Sequence, residues 1–147
     1  LHLSIRRQRQ MCIRDSLNTA YTKGILESSY YLAKISMLEN DYTGAKAFFE
    51  KYEQELGKVT VSGWYDGMAE CLIKEEKYED ALNYVLKGLA LEDVSAMKQL
   101  MLKKVTLYEK TVDYNKAYEA AIEYTKLYPE DKKMAREVVF LSTRKTK

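Results

Sequence analysis

Apolar residues recur along this chain at helical intervals, and the helical stretches themselves recur. Tyr65, Met68, Ala69 and Leu72 lie at i, i+3, i+4 and i+7, which gathers them on one face of a helix. The polar break Glu75-Glu76-Lys77 follows, after which Ala81, Leu82, Val85, Gly88 and Leu89 repeat that spacing. Three segments align without gaps around the break: Asp41-Tyr42-Thr43-Gly44-Ala45, Lys77-Tyr78-Glu79-Asp80-Ala81 and Asp113-Tyr114-Asn115-Lys116-Ala117. Tyr42, Tyr78 and Tyr114 are 36 residues apart, as are Ala45, Ala81 and Ala117. A fixed period of this size is the signature of stacked repeats. The pattern predicts helices over about 18–39, 42–56, 62–75, 78–92, 95–111, 114–128 and 130–143. Gly57 suits the end of the second, and Pro129 stops the sixth. Glu130-Asp131 open the last, whose stripe of Met134, Val138 and Leu141 suits a terminal cap.

These units resemble the tetratricopeptide repeat, a helix–turn–helix unit of about 34 residues. Tyr65, Met68-Ala69 and Leu72 match its first-helix positions, with Met and Ala where the family has Leu and Gly. Ala45, Ala81 and Ala117 match the small residue that lets paired helices approach. Phe49 and Val85 fit the bulky position that follows, whereas Ala121 is small there. Other departures are Ser36 where Tyr is expected and Lys104-Val105 where Leu-Gly is expected. The period is two residues longer than the family's, which points to a looser connection near Gly57–Gly63 and near Asp93–Ala96. The resemblance implies an all-α fold, a right-handed α-solenoid of antiparallel helix pairs. Its units would span about 26–57, 62–93 and 97–129, with a terminal helix at 130–143.

Composition supports a globular chain: of 147 residues, 46% are hydrophobic and 31% charged. No apolar run approaches the ~20 residues that cross a bilayer. The net charge of +2 is unevenly placed. Residues 1–16 hold four Arg against Asp15, without a clear helical or strand period or the apolar core of a secretory signal. A basic targeting segment and an Arg-rich arm for nucleic acid are two readings. The third is sharper: Arg6 to Asp15 match the translation of a transposase sequencing-library adapter at ten consecutive positions, and Leu1-His2 fit the primer upstream of it. Residues 1–16 are therefore expected to be non-native and joined to a truncated frame, leaving 17–147 as the repeat domain. Leu17 to Lys23 would be the stump of an earlier unit, able to self-associate through its exposed apolar groups. Without residues 1–16, 20 basic residues face 21 acidic ones, no His remains and Cys71 is the one Cys.

That remainder offers little for catalysis. No glycine-rich phosphate loop, His-Glu-x-x-His or Cys-x-x-Cys occurs, and Cys71 has no His to act as its base. We expect no catalytic residue, metal or cofactor, and no nucleic-acid partner. Of the thirteen Tyr, Tyr42, Tyr78 and Tyr114 belong to the turn, and Tyr52, Tyr65, Tyr108 and Tyr124 to the core. Tyr30, and after it Tyr31 and Tyr118, fall off the apolar stripe and are better suited to an interface. In tetratricopeptide arrays the first helix of each unit lines a peptide-binding groove. The resemblance would put there Tyr30, Lys34 and Met37, then Asp66, Glu70 and Lys74, then Leu102, Thr106 and Lys110. The family's Lys/Asn clamp for a C-terminal carboxylate is replaced by Tyr30, Lys34, Asp66 and Glu70, which disfavours a chaperone-tail ligand. A non-catalytic module binding a protein or peptide is the leading expectation. A spacer or scaffold in a larger, surface-anchored bacterial protein and the accessory region of an enzyme are the alternatives. The compartment stays open between cytoplasm and a lipid-anchored or exported location.

Overall fold

The computed structural model describes residues 2–145, so residue 1 of the adapter-like segment and residues 146 and 147 lie outside it. Among the described residues there are eight helices and no strand: α1 (His2–Thr22), α2 (Leu26–Leu38), α3 (Tyr42–Leu56), α4 (Ser62–Lys74), α5 (Tyr78–Leu89), α6 (Met97–Lys110), α7 (Tyr114–Leu127) and α8 (Lys132–Arg144). They form two compact units, residues 1–59 and 60–147. The sequence pattern places one helix over 18–39, but there are two. Gly24, at φ 75°, ends α1, with its N–H donated to the Tyr21 carbonyl and that of Ile25 to Ala20. This left-handed exit costs a glycine little. The last helix begins at Lys132, not at residue 130, because Asp131 is its cap and accepts from the N–H groups of Lys133 and Met134.

The turn inside each repeat has one geometry. Asn40, Glu76 and Val112, again 36 apart, adopt φ of 62°, 59° and 61°. In each case the next residue's N–H reaches back five positions: Asp41 to Ser36, Lys77 to Leu72 and Asp113 to Tyr108. Such a turn satisfies the last carbonyls of one helix while reversing the chain. Asp41 and Asp113 then cap the following helix, accepting from the N–H groups of Gly44 and Lys116. Lys77 provides no such cap.

In the first unit α2 and α3 pack as a pair, with Leu32, Ala33, Ala45 and Phe49 fully buried. The half-buried Tyr21 of α1 meets Phe48 of α3 edge-on. Residues 3–9 of α1 are exposed, and Arg14 is ion-paired with Glu39. The helix over residues 2–16 follows from its Arg, Gln, Leu and Met, all good helix formers. Buried hydroxyls at Ser29 and Ser36 have no hydrogen-bond partner.

The second unit holds two core clusters. Ala69, Leu72, Ala81, Val85, Leu100 and Leu107 join α4, α5 and α6. Met101, Val105, Ala117, Ala121, Tyr124, Met134 and Leu141 join α6, α7 and α8. The connection near Asp93–Ala96, where the longer period predicts looseness, is pinned. Asp93 accepts from the Ser62 N–H at 2.7 Å and its hydroxyl at 2.9 Å, and from the Ser95 N–H and hydroxyl, each at 3.0 Å. The Ser62 hydroxyl in turn accepts from the Ala96 N–H at 3.0 Å. Asp93 thus caps α4 from 31 residues away, where Val61 supplies no side-chain cap. These hydrogen bonds hold its carboxyl down at about 2.

Two outcomes follow from these turns and from α1. A β-branched residue in the left-handed region is strained by about 1–2 kcal/mol, whereas Asn enters it readily. Val112, 68% exposed, gives up little packing, so Val112→Asn should raise stability by about 1 kcal/mol and Asn40→Val should lower it by a similar amount. Urea unfolding midpoints would show this. Removing residues 1–16 forfeits an exposed ion pair, so the chain from Leu17 should keep its fold and lose no more than about 1 kcal/mol. A cooperative thermal transition followed by circular dichroism checks it.

Candidate functional site

The residues assigned to the groove fall on the first helix of each pair, and each compact unit presents its own set. On α2, Tyr30 is half-buried, with its ring centroid 6.1 Å from that of Phe49 and 5.6 Å from that of Tyr52. It therefore packs within the α2–α3 pair. The Lys34 ammonium lies 5.6 Å from the Tyr30 ring centroid, and Met37 is half-buried one turn further on. Tyr31 is the open ring, 53% exposed. In the second unit Tyr118 is half-buried, with the Lys145 ammonium 4.2 Å from its ring centroid.

On α4 the assigned residues are gathered by one that the sequence reading passed over. Lys103 of α6 places its ammonium 2.6 Å from Asp66 and 3.3 Å from Glu70. Lys74 approaches Glu70 at 4.0 Å from one turn away. Asp66, Glu70 and Lys103 are all half-buried, so solvent screens their attraction less than on an open surface. Two of the three assigned α4 side chains are thus engaged in joining α4 to α6. Lys103 sits in the run Lys103-Lys104, and nothing local distinguishes it from its neighbour, which pairs with Glu123 of α7 at 2.8 Å.

Beyond Lys103 an open groove of about 270 Å³ runs between α6 and α8. Leu102, Val105 and Met134 give it apolar walls, and Thr106, Glu109, Asp131, Lys133 and Glu137 complete the lining. Of the residues assigned on α6, Leu102 and Thr106 line this groove. Lys110 is not, since its ammonium lies near the Tyr78 ring, 5.9 Å from the centroid. Glu109 and Glu137 were missed. Glu109 was in reach, because it follows Leu102 by seven residues and so shares its face of the helix. Glu137 required knowing how α8 lies against α6.

Glu109 and Glu137 face each other near enough for Glu137 to strengthen the hold of Glu109 on a proton. Burial first, then the bond to Glu137 and its charge, push Glu109 up to about 7, against a smaller opposing pull from Lys110. Glu109 Oε1 is buried with no hydrogen-bond partner. Asp131, at the other end, is committed: it accepts from the Tyr124 hydroxyl at 2.8 Å while capping α8. That bond lowers Asp131, and burial together with it raises Tyr124 to about 12.

Solved structures share this arrangement of helix pairs. The tetratricopeptide-repeat domain of Arabidopsis OM64 superposes with a TM-score of 0.68 at 16% identity, over 79% of this chain and 93% of that one. The chain has a tetratricopeptide-repeat fold. MamA superposes with a TM-score of 0.76 at 17% identity, over 92% of this chain and 80% of that one. No family model and no curated protein sequence matches the chain. In tetratricopeptide terms, α2, α4 and α6 are first helices of three pairs, and α8 follows them as the terminal helix. Among the described residues, no helix is long and apolar enough to cross a membrane, and no group of three or more His, Cys, Asp or Glu could hold a metal ion. Cys71 is buried, Cys12 is exposed, and neither belongs to a disulfide.

The raised Glu109 sets a sign for stability. A folded-state value above the unfolded one means that the fold binds the proton more tightly, so stability falls as pH rises from about 4.5 to about 7. Glu109→Gln keeps a hydrogen-bond donor without the charge. It should flatten this decline, matching the parent near pH 4.5 and exceeding it at pH 8 in urea midpoints. Asp93 acts at the acid end, where its lowered value makes stability fall as pH drops below about 4 towards about 2.

Proposed function

We propose that the chain is a non-catalytic module that binds a protein or peptide along the first helices of its repeats. The observation that carries this reading is the groove between α6 and α8, open to solvent and walled by Leu102, Val105 and Met134. An apolar lining with a few polar groups at its edge is the usual chemistry of a recognition groove. In the first compact unit, Tyr30, Lys34 and Met37 form a separate face whose exposed neighbour Tyr31 would add an aromatic anchor. Asp66, Glu70 and Lys74, tied to or beside Lys103, border the α6 surface as a charged edge and not as free anchors.

Thr106 is exposed and lines the groove, so Thr106→Trp should fill it without adding charge or disturbing a core residue. Peptides selected on the parent chain from a random twelve-residue display library should bind this variant at least about tenfold more weakly, as expected for blocking a central contact. Glu70→Lys, outside the groove lining, should have a smaller effect. Affinities unchanged by Thr106→Trp would place binding elsewhere on the molecule.

A further inference from the structure

We propose that the groove between α6 and α8 takes a short peptide carrying one Lys or Arg, whose cation sits between Glu109 and Glu137. This rests on reading that groove as a peptide site and adds the chemistry of its occupant.

Charge is the first argument. The lining holds three carboxyl groups, Glu109, Asp131 and Glu137, against one ammonium, Lys133. Asp131 is already occupied by the Tyr124 hydroxyl and the α8 N–H groups. The uncommitted acidity is the Glu109–Glu137 pair, which has no cation between its members. Lys110, the basic neighbour on the same helix, is directed towards the Tyr78 ring. Glu123 and Lys116 of α7, which packs against both helices, are paired with Lys104 and Asp113.

The second argument is an unmet acceptor. Glu109 Oε1 is buried and accepts no hydrogen bond. A proton supplies one bond to the acid pair, whereas an ammonium offers three donors and a guanidinium five, so a cation can satisfy both carboxylates at once. Length is the third. From Leu102 to Glu109 is seven residues of helix, about 10 Å, which matches roughly three residues of extended chain. The occupant is thus a basic residue with an apolar neighbour, the latter resting on Leu102, Val105 and Met134.

Binding then has a proton balance. The cation enters, the proton that Glu109 holds leaves to solvent, and the Glu109 carboxylate is charged in the complex. Acid conditions oppose this step, since Glu109 holds its proton up to about 7. Affinity should rise about tenfold between pH 6 and pH 8 for one proton released.

The test uses the intact chain and peptides selected at pH 8 from the twelve-residue library. We expect Lys or Arg beside Leu, Ile, Val or Phe in the selected sequences. The tightest, synthesised and titrated by fluorescence anisotropy, should bind about tenfold more weakly at pH 6 than at pH 8. Glu109→Gln and Glu137→Gln should each weaken it by about tenfold or more and flatten the pH profile. Thermal melts of both variants separate lost binding from lost folding, and Glu109→Gln is expected to be the more stable protein at pH 8. Replacing the basic residue of the peptide by norleucine should match the effect of the variants. Selected peptides without a basic residue, a flat pH profile, or indifference to both Gln variants would each overturn the proposal. If such peptides still lose affinity with Thr106→Trp, the groove stands as a peptide site and only the cation is wrong. If they ignore all three variants, or if no peptide is selected, both readings fall.

Discussion

Each repeat reverses direction in three residues, and so short a turn brings its two helices together before either can carry a large side chain at the crossing. Ala45, Ala81 and Ala117 stand at that point, all fully buried. A bulkier residue there would force the helices apart or into poor rotamers, at about 1–3 kcal/mol. Gly88 meets a comparable limit two turns further along α5, where an added Cβ would lie 2.8 Å from the Cβ of Tyr65 and 2.9 Å from Leu100. Tyr52 and Tyr124 occupy the same position of the repeat in their own pairs, 36 residues away on either side. The second pair closes with Gly88 because Tyr65 fills the space from α4. The volume is supplied once in each pair, by whichever helix has room for it.

Polar groups do the work of register. The Asp caps at 41, 113 and 131 fix where α3, α7 and α8 begin, and Asp93 does this for α4 from the following connection. These anions sit at helix starts, where unpaired N–H groups and the dipole favour them. Glu109 and Glu137 are the exception. They face each other across a groove with no ion pair to a cation, and burial together with Glu137 raises the hold of Glu109 on its proton. The pair lies beside the apolar walls that Leu102, Val105 and Met134 give the groove.

The helix pairs were legible because Tyr and Ala recur at a strict interval, and residue types at helical spacing report which face is buried. The break at Gly24 was not, because apolar residues continue past it through Ile25 and Leu26 and the period gives no pause. The left-handed turn position was hidden for a different reason: Asn40, Glu76 and Val112 share no chemistry, and only the backbone makes them alike. For the groove, Leu102 and Thr106 could be placed by counting along one helix. Lys103 and Glu137 act across helices, and their partners depend on rotations that no single segment encodes. The terminal cap shows the same division. Its stripe of Met134 and Leu141 was visible in the sequence, whereas the bond from Tyr124 to its first turn depends on how α7 ends.

The bridge from Ser62 to Asp93 also changes what the start of α4 can report. An exposed helix end usually frays, and its first amides exchange with solvent freely. The Ser62 N–H is instead held by a carboxylate belonging to the connection that leads into the next pair, and the Ser62 hydroxyl holds the first N–H of that pair's approach in return. Deuterium can enter at Ser62 only when the later connection lets go. That amide therefore times the detachment of a neighbouring repeat, although it lies at the opening of its own.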